Sequence, residues 1–98
     1  RVDGVPVADE ALVEAFARVD EARHGLRLTY FEFGTLAALD IVARTAPDLA
    51  LLEVGLGGRL DSTNVCQPCV SVITSCSGAS IVIVISAVQF AASVTVSM

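Results

Sequence analysis

Apolar positions change their rhythm three times along this chain. From Asp9 to about Arg23, Leu12, Phe16 and Val19 recur at helical spacing while Glu10, Glu14, Asp20 and Glu21 supply a wet face. That pattern predicts a first helix with Asp9 as its N-cap and Gly25 as its stop, with Arg23 and His24 near the carboxyl end to complement the dipole. A second helical stretch follows, in which Phe33, Leu36, Ala37, Leu39, Ile41 and Ala43 make a broad apolar surface, and Pro47 ends it at about Thr45. Its start, Thr29-Tyr30-Phe31-Glu32, has the capping-box form, Thr29 accepting from a backbone N–H of the first turn and Glu32 reaching back to the cap. Ahead of both helices, Arg1 to Val7 reads as a short extended segment with a turn near Gly4 and Pro6.

The rhythm then breaks. Leu49 to Leu52 is apolar without alternation, predicting a strand over Leu49 to Val54, and Val70 to Thr74 predicts another. A strand with no polar face suits the middle of a parallel sheet covered by helices on both sides. Helix, strand, loop and strand in that order predict an α/β fold, part of a doubly wound parallel sheet.

The third change is in charge. The net charge is −5 with an isoelectric point near 4.5, which argues against a nucleic-acid or anionic-membrane surface. Every Asp, Glu and Arg lies at or before Asp61, and Ser62 to Met98 carries none. Two kinds of sequence are joined here, a charged one up to Asp61 and an uncharged one after it, and residues 76–98 belong wholly to the second. The apolar tail, IVIVISAVQFAASVTVSM from Ile81, admits an out-of-frame translation or a membrane anchor. Ser86, Gln89, Ser93, Thr95 and Ser97 dilute the run and no basic flank orients it, so a membrane partner is not expected. High β-propensity without charge or proline also makes the tail an aggregation hazard.

The first residues are polar, without a signal peptide or an initiating Met, and a fragment of a longer protein is expected. Three cysteines cannot all pair, which favours a reducing cytoplasm. Cys66 and Cys69 form a C-x-x-C, but with Cys76 and the single His24 it makes a poor zinc site. Pro68 and the β-branched run after it place the pair in a loop entering a strand rather than at the helix start of a redox motif.

Chemistry concentrates in LALLEVGLGGRLDSTN, Leu49 to Asn64. The apolar strand delivers Glu53 to its carboxyl end, where ligands of open α/β sheets gather. Gly55, Gly57 and Gly58 follow, then Arg59, Asp61, Ser62, Thr63 and Asn64. A lone carboxylate at that place suits Mg²⁺, which takes one or two protein carboxylates and keeps its other positions for water and phosphate oxygens. Leu60 stands where a dinucleotide loop needs its third glycine, and no Gly-Lys-Ser/Thr occurs, so this is not itself a nucleotide loop.

LTYFEFGTLAALDIVARTAPDLALLEVGLGGRLDSTNV, Leu28 to Val65, resembles folylpolyglutamate synthase and the bifunctional dihydrofolate synthase of bacteria, ATP-dependent amide ligases of the Mur ligase superfamily. VSVITS, Val70 to Ser75, continues the likeness, and RVDGVPVADEALVEAF fits more loosely. The resemblance implies that residues 1–75 come from a Mur-ligase-type ATP-binding domain of a monomeric, cytoplasmic parent. It implies Glu53 as a ligand to the Mg²⁺ of Mg-ATP, and Thr29, Tyr30, Phe31, Glu32, Leu60, Asp61 and Ser62 as contacts of the pterin-bearing substrate. The implied reaction uses ATP to phosphorylate the carboxylate of dihydropteroate or a folate, and the amino group of L-glutamate then attacks the acyl phosphate. The departures count too. The family's ATP loop is absent, Ser80 stands at the place of its second metal ligand, a histidine, and the likeness stops at Ser75, so the chain alone is expected to be inactive.

Overall fold

The computed structural model describes residues 1–55, 60–73 and 81–86, in two compact units, Arg1–Thr45 and Ala46–Met98.

The first unit is a helical hairpin. Val2 and Val5 exchange both backbone hydrogen bonds at 2.9 Å around Asp3 and Gly4, whose φ values of 51° and 78° are those of a tight hairpin turn. Helix α1 spans Asp9–Ala22 and α2 spans Tyr30–Thr45. Ala15 and Val19 of α1 pack on Ala37 and Ile41 of α2, with Leu12, Phe33 and Leu36 at the margin. The two alanines let the helices approach closely, and the larger pair fills the space between. Arg18 ties the helices together, its Nε and Nη2 donating to Asp40 Oδ2 at 2.9 and 2.7 Å, and Arg44 adds a bond of 3.2 Å. Burial alone would push the Asp40 carboxyl up; the bonds from Arg18 and Arg44 outweigh it and hold the group below its usual 3.8.

Both helices form where periodicity placed them, but the ends of α1 differ. Ala8 is the N-cap and makes no side-chain bond, so Asp9 serves as an acid of the first turn, favourable to the dipole, rather than as a cap. No basic residue lies in the last turn. Arg23 is the C-cap instead, its guanidinium donating to Asp20 and to the Leu26 carbonyl. His24 and Gly25, with φ of 46° and 80°, turn the chain away. Helix α2 ends at Thr45 before Pro47, and Ala46 takes a φ of 45° there. That left-handed position suits glycine, because a Cβ crowds the backbone in it. Ala46→Gly is therefore expected to stabilise the chain by about 0.5–1 kcal/mol, read as a raised urea midpoint with an unchanged slope.

The second unit contains β1 (Leu49–Glu53), a 3₁₀ turn over Ser62–Val65, β2 (Val70–Ile73) and β3 (Ile81–Ser86). The α/β class stands, but the expected parallel pairing is corrected. The strand order is β1-β3-β2, and β3 is antiparallel to both neighbours, with Leu51 and Val70 each opposite Val84. Only residues 74–80 separate β2 from β3. A connection that short can join antiparallel strands, whereas a parallel partner needs a crossover of about a dozen residues or more. β1 and β2, separated by residues 54–69, do run in the same direction, with β3 between them. Two-sided burial of β1 is corrected as well: Ala50 is buried, while Leu49 and Leu51 on the other face are 55% and 66% exposed.

Tail residues 81–86 thus form a hydrogen-bonded strand. Among the described residues no helix is long and apolar enough to cross a membrane. The remainder of the tail lies outside them.

Candidate functional site

The start of α2 holds four of the seven residues assigned to a substrate. Thr29 N–H and Thr29 Oγ1 both donate to Glu32 Oε2, at 2.7 and 2.9 Å, and Glu32 N–H donates back to Thr29 Oγ1 at 3.2 Å. The Thr29 carbonyl accepts from Phe33 N–H at 3.0 Å, the first intrahelical bond. The capping box read from the sequence is therefore present in full. The Thr29 backbone bond, then its hydroxyl, holds the Glu32 carboxyl below the ordinary 4.5. A carboxyl whose folded value is lowered stabilises the fold above its unfolded value, about 4.3, and loses that contribution as pH falls through the folded value. The first turn of α2 is expected to lose amide-exchange protection on acidification through that window. Glu32→Ala should remove this pH dependence; an unchanged profile would show that the cap does not rest on the carboxylate.

Tyr30 and Phe31, on the same turn, are 96% and 54% exposed. They line a groove of about 440 Å³ with Phe16, Phe33, Gly34, Thr35 and Ala38, a volume within the range of small-molecule sites, about 300–1,000 Å³. Phe16 and Phe33 stack at a tilt, 5.8 Å between ring centres. Sequence reasoning assigned both phenylalanines to the apolar helix faces and gave Gly34 no part. The signal it passed over is a glycine in mid-helix. Among the described residues a Cβ there would meet nothing within 4 Å, so none of their packing requires the glycine. Relative to Ala it costs the helix about 0.5–1 kcal/mol.

The second unit holds the other assigned residues. Glu53 ends β1 with an exposed side chain, opposite Val82 in the register, and Val54 beside it is buried. Leu60 is 91% exposed and Ser62 opens the 3₁₀ turn. Asp61 is buried, only 8% exposed. Its Oδ1 accepts from Thr63 N–H at 2.9 Å and from Thr63 Oγ1 at 2.8 Å, and its Oδ2 accepts from Gly55 N–H at 3.1 Å. Among the described residues, both oxygens of the carboxylate are thereby engaged inside the chain. Thr63, also buried, stands among the polar loop residues named from the sequence but was given no role there. Gly57, Gly58, Arg59, Cys76 and Ser80 lie outside the described residues.

Among the described residues no three of His, Cys, Asp and Glu gather as a metal site. What the geometry offers is one hard, exposed oxygen donor at a strand's carboxyl end, the smallest protein share of a Mg²⁺ site. Burial pushes the Cys66 thiol up from its ordinary 9.0, away from the reactive thiolate that a redox pair needs.

Over 75 residues, 76% of this chain, the sequence is 47% identical to the dihydrofolate synthase/folylpolyglutamate synthase of Escherichia coli. It is 47% identical over 75 residues to the protein of that name from Haemophilus influenzae, and 39% identical over 80 residues to the folylpolyglutamate synthase of Lacticaseibacillus casei. The matched stretch is 18%, 17% and 19% of those three proteins, so the chain spans about a fifth of the length of each. No family profile and no solved structure matches.

Proposed function

From the premise that the matched three quarters of this chain is a segment of the dihydrofolate and folylpolyglutamate synthase family, we propose that it serves in an ATP-dependent ligase. The parent enzyme joins L-glutamate to dihydropteroate, to folates, or to both, through an acyl phosphate. The observation that carries this reading is the 47% identity over 75 residues to a synthase that makes such bonds by name. Two local features support it. An exposed carboxylate ends β1 directly before the glycines, and an aromatic groove opens at the capped start of α2.

The two features take separate roles. Glu53 anchors Mg²⁺, which when bound neutralises charge on the phosphate oxygens of ATP. The carboxylate is neither nucleophile nor base. Tyr30 and Phe31 offer ring faces to a flat pterin, with Phe16 and Phe33 as further walls of the groove. Glu32 Oε1, free of the cap's hydrogen bonds, is an acceptor beside them. The residues 1–75 belong to a Mur-ligase-type ATP-binding domain. The parent works in the cytoplasm as a monomer. With no Gly-Lys-Ser/Thr phosphate loop in its sequence, the 98-residue chain alone releases no ADP.

Exchange of the corresponding segment of the Escherichia coli relative for residues 1–75 of this chain tests the reading. The hybrid is expected to form ADP and a glutamyl amide together. A hybrid that folds, binds ATP and forms no amide would refute it; Mg²⁺-dependent ADP release by the isolated 98-residue chain would overturn only the statement that the chain alone is inactive.

A further inference from the structure

We infer that Asp61 and Thr63 are positioning residues, whose hydrogen bonds to each other and to Gly55 fix the end of β1 and with it the direction of the Glu53 carboxylate. The inference rests on the reading of Glu53 as a Mg²⁺ anchor, and it gives Asp61 a supporting role beside the substrate contact that the family resemblance implies for it. Three observations carry it. Asp61 Oδ2 accepts from Gly55 N–H, two residues beyond Glu53 and six residues back along the chain. Its Oδ1 is occupied by the backbone and hydroxyl of Thr63, so the carboxylate cannot turn without giving up the 3₁₀ turn that it caps. Both side chains are buried, at 8% and 6% exposure, where a lost partner is not replaced freely by water.

The sequence between these anchors explains why support is needed. Gly57 and Gly58 are the residue type that loses most backbone entropy on ordering, so holding the two ends of the stretch lowers the cost of a fixed ligand direction. A metal site with a single protein carboxylate has no second protein ligand to correct a misdirected first one. Supporting bonds of this kind typically change metal affinity by about 10–100-fold.

The test uses the full 98-residue chain and Mn²⁺ as a paramagnetic probe of the Mg²⁺ site. In wild type, Mn²⁺ is expected to broaden the amide signals of Glu53, Val54 and Gly55 first, and Glu53→Gln to abolish this. Thr63→Val keeps the side-chain shape and removes the hydroxyl; it is expected to raise the Mn²⁺ concentration for half-broadening by about tenfold, as is Asp61→Asn, while Thr63→Ser restores wild-type behaviour. Unshifted amide signals elsewhere in the sheet show that the variants are folded. By reciprocity, Mg²⁺ must also slow amide exchange at Gly55 in the wild-type chain, a measurement that needs no variant. Half-broadening at the wild-type concentration in both Thr63→Val and Asp61→Asn would overturn the positioning role and leave the metal anchor standing. So would Gly55 exchange indifferent to Mg²⁺ at concentrations that occupy the site. No broadening near Glu53 in wild type would overturn both readings at once.

Discussion

Glu53→Gln, placed in the hybrid Escherichia coli enzyme carrying residues 1–75 of this chain, is expected to lower kcat by about a hundredfold or more, some 2.7 kcal/mol of barrier. Glutamine has nearly the same shape, keeps one oxygen and loses the charge, so the change isolates electrostatics from packing. Mg²⁺ binds hard anionic oxygen, and a neutral amide is a much weaker ligand to it. The side chain is exposed at the end of β1, so folding stability should move by no more than about 0.5 kcal/mol. Steady-state kinetics at several Mg²⁺ concentrations check this, and excess metal should recover part of the rate if the lost step is metal retention. A kcat within threefold of the unsubstituted hybrid, at equal stability, would remove Glu53 from the site.

The features that sequence reasoning reached are those fixed by local rules. The capping box needs only Thr29 and Glu32 three apart, and the structure gives all three of its hydrogen bonds. The ends of α2 and the place of Glu53 at the end of β1 follow from neighbours within a few residues. What sequence reasoning missed depends on partners far along the chain. Leu49 to Leu52 carries no sign that one face of β1 stays open, because an apolar run alone cannot say which of its faces is covered. Nor does that run reveal that its neighbour is β3, drawn from a tail that matched no family pattern.

Asp61 shows the same limit inside the candidate site. Its motif is the same whether the carboxylate faces a ligand or its own backbone, and only the bond to Gly55 distinguishes the two. Phe16 and Phe33 fit helix periodicity, which accounts for them as core residues and carries no sign that both line the groove beside Tyr30 and Phe31.

Asp61→Ala is expected to destabilise the second unit by about 2–4 kcal/mol, the reverse of the pattern expected for Glu53→Gln. Among the described residues, truncation leaves Gly55 N–H, Thr63 N–H and the Thr63 hydroxyl without this acceptor. The two Thr63 donors are buried and each costs about 1–3 kcal/mol when abandoned, whereas Gly55 is exposed and water can reach its N–H. Loss of the cap on the 3₁₀ turn acts in the same direction. Asp61→Asn retains an oxygen acceptor and should cost less than Asp61→Ala. Native-state amide exchange of β1, compared among the three chains, gives the opening free energies directly. A difference below about 1 kcal/mol between wild type and Asp61→Ala would show that the carboxylate does not close this stretch, and the support assigned to Glu53 would fall with it.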